Sequence, residues 1–171
     1  SLDCSFNNLS SLENIQPLGP NLKELVAYSN KLVDIYCLGD CSNLTNLQLH
    51  DNKLTSLPPT FKQLTNLKEI TLHRNKLTSL SNLGLCTSLT HIDASNNELS
   101  TPTTTSLDLL VSLNYLLLNS NDLGPSLPPC LKKLNNLEEL QVSDNQLTNL
   151  KNIPRNITIL MASRNHLSAT L

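Results

Sequence analysis

Apolar side chains return at fixed steps along almost the whole chain. From Leu67 to Leu77 they occupy positions 1, 4, 6 and 11 of an eleven-residue frame (Leu67, Ile70, Leu72 and Leu77), and Asn75 holds position 9. The same frame runs from Leu22 to Leu32, Leu44 to Leu54, Leu89 to Leu99, Leu113 to Leu123, Leu137 to Leu147 and Ile157 to Leu167. The chain opens inside a further copy, of which Leu2, Cys4, Asn7 and Leu9 remain. Positions 4 and 6 alternate with polar neighbours, so each frame predicts a short strand with one apolar face and one variable face. The asparagines Asn7, Asn30, Asn52, Asn75, Asn97, Asn121, Asn145 and Asn165 recur every 20 to 24 residues. Each predicts the point where the strand ends and the chain turns, because a short amide both donates to and accepts from nearby backbone. A single copy buries almost nothing alone, so stability is expected from stacked neighbours.

The stretches between frames fall into two styles. Leu57-Pro58-Pro59-Thr60-Phe61-Lys62-Gln63-Leu64 and Leu127-Pro128-Pro129-Cys130-Leu131-Lys132-Lys133-Leu134 share one pattern. Leu32, Ile35 and Leu38, and again Leu77, Leu80 and Leu83, follow a shorter three-residue step. Proline fixes φ and removes a donor, which suits an irregular outer side with short helical turns. The insert 100–112 reads as a Thr-rich loop entering about one and a half helical turns near Leu107, Leu109 and Leu110.

The frame L-x-x-L-x-L-x-x-N-x-L resembles the leucine-rich repeat. That resemblance implies an α/β fold: a right-handed solenoid, or horseshoe, with a curved parallel β-sheet on the concave face and loops, 3-10 turns and short helices on the convex face. It also implies a single domain over 1–171 of about eight repeats, the first truncated, read as a piece of a longer protein. The proline-bearing repeats are similar to those of Ras-binding scaffold proteins. The shorter ones are similar to those of the regulatory subunit of protein phosphatase 1. Stretches such as Ala27-Tyr28-Ser29-Asn30 resemble repeats of phosphatases and adenylate cyclases that carry this element.

If the leucines form an interior spine, positions 3, 5, 7 and 8 of each frame face out of the concave sheet. Val26, Tyr28, His50, His73 and Arg74 then make one patch, rich in residue types that dominate binding hot spots. Tyr115 with Leu117 makes a second apolar island, and Ile159 with Met161 a third. Gln48, Thr71, Asp93 and Gln141 complete the expected partner-binding face. Position 10 changes sign along the chain, from Lys31, Lys53 and Lys76 to Glu98 and Asp122, which would orient a partner of opposite gradient. Eight strands about 4.8 Å apart offer a face of roughly 35 Å, enough for the ~800 Å² that a standard interface takes from each partner.

Charge and composition narrow the function. With 12 basic and 14 acidic residues and 3% aromatics, the chain is a poor candidate for nucleic-acid binding. No apolar run reaches membrane-spanning length. The five cysteines lack the clustered spacing of disulfide caps. Cys4, Cys41 and Cys86 sit in apolar slots, and Cys37 and Cys130 are expected on the convex side, a pattern of a reducing, cytoplasmic compartment. Three N-x-[ST] sequons, at Asn8, Asn43 and Asn156, are fewer than 23 Asn and 34 Ser plus Thr generate by chance, so they carry no sign of secretion. No catalytic triad, phosphate loop or zinc motif is present. His50 and His73 stand at equal positions of successive repeats, with Asp51 as the one obvious further ligand. Because zinc asks for three or four converging donors, two half-exposed histidines on a binding face are the preferred reading, with no metal and no cofactor.

The expected function is therefore protein–protein recognition of a signalling partner, a small GTPase or a phosphatase, through the concave face, without catalysis. Two alternatives stand beside it: a substrate-recruiting or regulatory region of a multidomain enzyme, and an extracellular recognition domain.

Overall fold

The computed structural model describes residues 1–101 and 107–168. Eight strands, one per frame, form a single parallel sheet: β1 (Leu2–Asp3), β2 (Glu24–Val26), β3 (Asn46–Gln48), β4 (Glu69–Thr71), β5 (His91–Asp93), β6 (Tyr115–Leu117), β7 (Glu139–Gln141) and β8 (Ile159–Met161). They lie side by side in chain order. The register pairs equivalent positions, so Leu25, Leu47, Ile70, Ile92, Leu116, Leu140 and Leu160 form one row. The fold is a leucine-rich-repeat solenoid whose sheet lines the concave side.

The spine is apolar because each coil points its frame leucines inward. The central residue of every strand from β2 to β7 is buried, as are Ala27, Leu49, Leu72, Ala94, Leu118 and Val142 two residues on. Full burial of one such leucine contributes about 1.5–3 kcal/mol. At the two ends the coils have a neighbour on one side only, and there Leu2, Cys4, Leu160 and Ala162 are half-buried. Cys4 thus occupies an apolar slot without the full burial its position suggests. Cys37 and Cys130 lie in the convex turns, as expected; Cys130 is buried there and Cys37 is half-buried.

The convex segments are 3-10 throughout the named elements: Glu13–Asn21, Tyr36–Asp40, Pro59–Gln63, Ser81–Leu83 and Pro129–Lys133. No α-helix occurs among the described residues. In the two proline-bearing repeats Pro59 and Pro129 start the segment, where no amide hydrogen is needed, and Phe61 and Leu131 plug the core below. Leu107 and Leu110 are buried, while the Thr-rich part of the insert lies at 102–106, outside the described residues. No helix among the described residues is long and apolar enough to cross a membrane.

The turn chemistry is shared between two positions. The residue just before each ladder asparagine is left-handed: Phe6, Ser29, Asp51, Arg74, Asn96, Ser120, Asp144 and Arg164 have φ between 49° and 56°. The asparagine itself then works as a rivet. Asn75 accepts from Leu54 N at 2.9 Å and donates to Leu49 O at 3.0 Å and Leu72 O at 2.9 Å, tying its own coil to the one before. Asn30, Asn52, Asn97, Asn121, Asn145 and Asn165 repeat the scheme. Asn7, in the first coil, is exposed and donates only to Cys4 O and Ser5 O of its own turn.

A second row of side chains, just before each frame, does similar work on the other flank. Asn43 donates to Pro20 O, Asn66 to Ser42 O, Ser88 to Thr65 O, Asn136 to Val111 O and Asn156 to Asn135 O. Two of the three sequon amides, those of Asn43 and Asn156, are thereby engaged in holding coils together.

Candidate functional site on the concave strand face

Alternation decides which side chains are offered. In each strand from β2 to β7 the middle residue is buried while the first and third are partly or fully exposed. Val26, Gln48, Thr71, Asp93, Leu117 and Gln141 are half-exposed third residues, and Met161 is exposed. Tyr28, His50 and His73 follow two residues later, half-exposed, and Arg74 is exposed beyond them. Tyr115 is a half-exposed first residue of β6.

The structure brings the N-terminal members of this set into one stack. Tyr28 and His50 are nearly parallel with ring centroids 4.2 Å apart, and His50 and His73 follow at 4.3 Å. Phe6 meets Tyr28 edge-on at 5.1 Å and leaves 75% of its own surface in solvent. The run spans four consecutive coils, because strand neighbours stand about one ring thickness plus a contact apart. Position 8 of its frame puts Phe6 among the outward-facing residues, but its edge-on contact with Tyr28 was not expected.

Polar partners fix the histidines. His50 Nδ1 lies 3.0 Å from Thr71 Oγ1, one coil on. His73 Nδ1 lies 2.9 Å from Asp93 Oδ2, also one coil on, though out of line for a hydrogen bond. Desolvation first, and then the neighbouring His73, push the His50 imidazole below its ordinary pKa and favour the neutral ring. Arg74 rests 3.5 Å from Asp51, and Arg164 is bidentate to Asp144, so both turn arginines are answered by an aspartate one coil earlier.

His91 does not join the histidine pair. It belongs to the first position of β5 and stacks on Tyr115 at 4.4 Å. Beside it a cleft of about 210 Å³ opens over Ile70 and Ile92, walled by Glu69, Thr71, Asp93, Tyr115 and Leu117. Further along, the face becomes an amide network, with Asn119 donating to Gln141 at 2.7 Å and accepting from Ser143 N at 2.9 Å. Ile159 and Met161, 44% and 48% exposed, stand apart from the stack on the last strand. The expected residues therefore form an aromatic sector, a cleft and a polar sector, not one uniform patch.

Charge on the strand positions themselves is one-sided, with Arg74 and Arg164 only at the turns that follow. The outward strand positions carry Asp3, Glu24, Glu69, Asp93 and Glu139, and no Lys or Arg. The thiols lie elsewhere and are poor nucleophiles: burial pushes the Cys86 thiol up to about 12 and the Cys37 thiol up to about 11.

Comparison with known proteins agrees with this architecture. Residues 42–99 match the family model described as leucine rich repeat. No curated protein matches the chain. An internalin (inlF) from Listeria monocytogenes superposes with a TM-score of 0.78 at 24% identity, over 92% of this chain and 47% of its own, a likeness of fold alone. A plant peptide hormone receptor, RGFR1, solved in complex with RGF2, is 28% identical with a TM-score of 0.74, over 93% of this chain and 27% of its own. A repeat protein of the same kind from Leptospira interrogans is 27% identical with a TM-score of 0.65, over 99% of this chain and 56% of its own. The chain thus spans about a quarter to just over half of the length of these three proteins.

Proposed function

We propose that this chain, whose residues 42–99 match the leucine rich repeat family model, is a protein-recognition module that holds a cationic segment of a polypeptide partner against its concave strand face, with no catalysis of its own. The observation that carries this reading is the run of rings Phe6, Tyr28, His50 and His73 across four adjacent coils, next to strand carboxylates that no Lys or Arg balances. The exposed Phe6 ring attracts Lys and Arg as well as apolar groups, the stacked rings offer their edges, and nearby carboxylates add to the pull. The cleft by Tyr115 and Leu117 takes one further side chain, with Glu69 and Asp93 at its wall to receive a charged tip. The plant receptor, solved in complex with RGF2, lends a precedent for occupancy of this fold.

Of the partner classes that the repeat styles suggest, small GTPases and phosphatases, the reading selects members with an exposed basic stretch. A regulatory segment of a larger enzyme would use the same face, with the restrained domain as the partner. We also propose a reducing, cytoplasmic setting. Its support is that all five cysteines are thiols, with Cys41, Cys86 and Cys130 inside the core. Thiol titration of protein isolated without reductant is expected to count five thiols after denaturation, and a lower count would favour the extracellular alternative.

The direct test compares Tyr28→Ala/His73→Ala with the wild type. Affinity for a partner captured by the wild type is expected to fall at least about tenfold, since both substitutions remove central ring contacts. Far-UV circular dichroism and the melting curve are expected to stay near wild type, as both side chains are half-exposed. Equal affinity of the two proteins would remove the stack from the interface.

A further inference from the structure

We propose that His50, His73 and Asp51 form a site for one divalent transition-metal ion of the zinc class, bound through Nε2 of both imidazoles and a carboxylate oxygen, with water completing the shell. One donor atom from each of the three residues lies within 4.8 Å of the others. Spacing along the chain places the histidines in register, but it cannot say which ring nitrogen faces the neighbour.

The structure supplies that missing piece. On each ring it is Nδ1 that faces an oxygen of the next coil, Thr71 Oγ1 for His50 and Asp93 Oδ2 for His73. In the tautomer whose Nδ1 proton is directed to that oxygen, the lone pair available for a metal is on Nε2. A histidine whose second nitrogen is held by a hydroxyl or carboxylate is oriented and made more basic as a ligand. The His73–Asp93 contact is the carboxylate–histidine arrangement that accompanies metal ligation. Its off-line geometry leaves a small ring rotation in hand, which ligation through Nε2 uses.

Asp51 follows His50 directly, and its left-handed backbone, φ 53°, turns the chain at the strand end. Its only ion-pair partner among the described residues, Arg74, is 3.5 Å away and mostly exposed, so the guanidinium is easily displaced. Zn–N bonds of about 2.0–2.1 Å at a tetrahedral angle bring two nitrogens to about 3.4 Å. The two rings are stacked 4.3 Å apart and only 17° from parallel, so ligation requires them to tilt until both Nε2 lone pairs converge on the ion. Two imidazoles and one carboxylate with open positions suit zinc, and copper(II) is expected to bind more tightly still.

The probe is Zn²⁺ itself, titrated calorimetrically into the full chain, with histidine NMR signals recorded in parallel. One equivalent is expected to bind, with the largest shifts at Nε2 of His50 and His73. His50→Gln and His73→Gln are each expected to weaken binding at least about tenfold. Asp51→Asn is expected to weaken it too, and Arg74→Gln to tighten it about two- to threefold by removing a competing charge. His91→Gln, which alters a separate stack, is expected to change nothing. Co²⁺ reports the ligand type: absorption with no thiolate charge-transfer band is expected. No uptake at millimolar Zn²⁺, wild-type affinity in the two His→Gln variants, or a thiolate band with Co²⁺ would each overturn the site. The metal readout needs no protein partner, so its failure leaves the recognition reading standing, and loss of that reading leaves the metal result intact.

Discussion

Asn75→Ala is expected to lower the unfolding free energy by on the order of 2 kcal/mol, read from urea denaturation. The substitution strands Leu54 N, which loses its acceptor, and takes one of two amide donors from Leu49 O and Leu72 O, which keep Asn52 and Asn97. Each buried polar group left unpaired costs about 1–3 kcal/mol, and neither solvent nor a methyl group replaces the amide there. Asn75→Asp separates the two roles. The carboxylate still accepts from Leu54 N, but it buries a charge that faces the Leu49 and Leu72 carbonyl oxygens without a hydrogen between them, so destabilisation is expected here too, now with Leu54 N still paired. Asn7→Ala is the internal control. Its amide is exposed and bonded only within its own turn, and a loss below about 1 kcal/mol is expected. Equal costs at Asn7 and Asn75 would show that inter-coil riveting contributes little.

Phe61→Ala is expected to cost about 3–5 kcal/mol. Phe61 is the largest wholly buried side chain, set under the turn Pro59–Gln63, and the buried Cys86 thiol from the next coil donates to its carbonyl. Phe61→Leu copies what the protein itself does at Leu131, the equivalent plug of the other proline-bearing repeat. A cost below about 1.5 kcal/mol is expected for it. Calorimetric melts that rank the leucine and alanine variants equally would contradict the account of the convex turns as core plugs.

The fold was legible because its information is periodic. Eight copies of one frame define strand positions, and the period of two sorts Leu25, Ile70 and Leu116 inward and Val26, Thr71 and Leu117 outward without reference to other parts of the chain. The 3-10 turns expected on the convex face are present, between Pro59 and Gln63 and between Tyr36 and Asp40 among others. What stayed hidden depends on torsions or on neighbours. The left-handed residue before each asparagine is Phe, Ser, Asp, Arg or Asn, so no glycine marks it. The row from Asn43 to Asn156 was in plain view as residues preceding a leucine, but its role appears only when adjacent coils are stacked. Cys130 is buried and Cys4 is not, because burial depends on how many coils flank a slot.

The candidate site shows the same division. Register put Tyr28, His50 and His73 on one line, while ring planes, the contact of Phe6 and the pairing of His73 with Asp93 required side-chain directions. His91 illustrates the limit: its frame position set it apart from the other two histidines, and only the structure joins it to Tyr115.

Every strand in this sheet is bonded solely to the strands before and after it in the chain. Gene duplication or excision of one complete coil therefore leaves every remaining junction chemically equivalent. Removing the coil that carries His50 would set Tyr28 directly against His73, a shorter column with both of its flanks preserved. Removing the coil of Thr71 and His73 would instead bring His50 beside Asp93 and Ser95, ending the column one ring sooner and exchanging a hydroxyl for a carboxylate as its support. Recombination at repeat boundaries can thus rewrite what this protein displays while its backbone path stays unchanged.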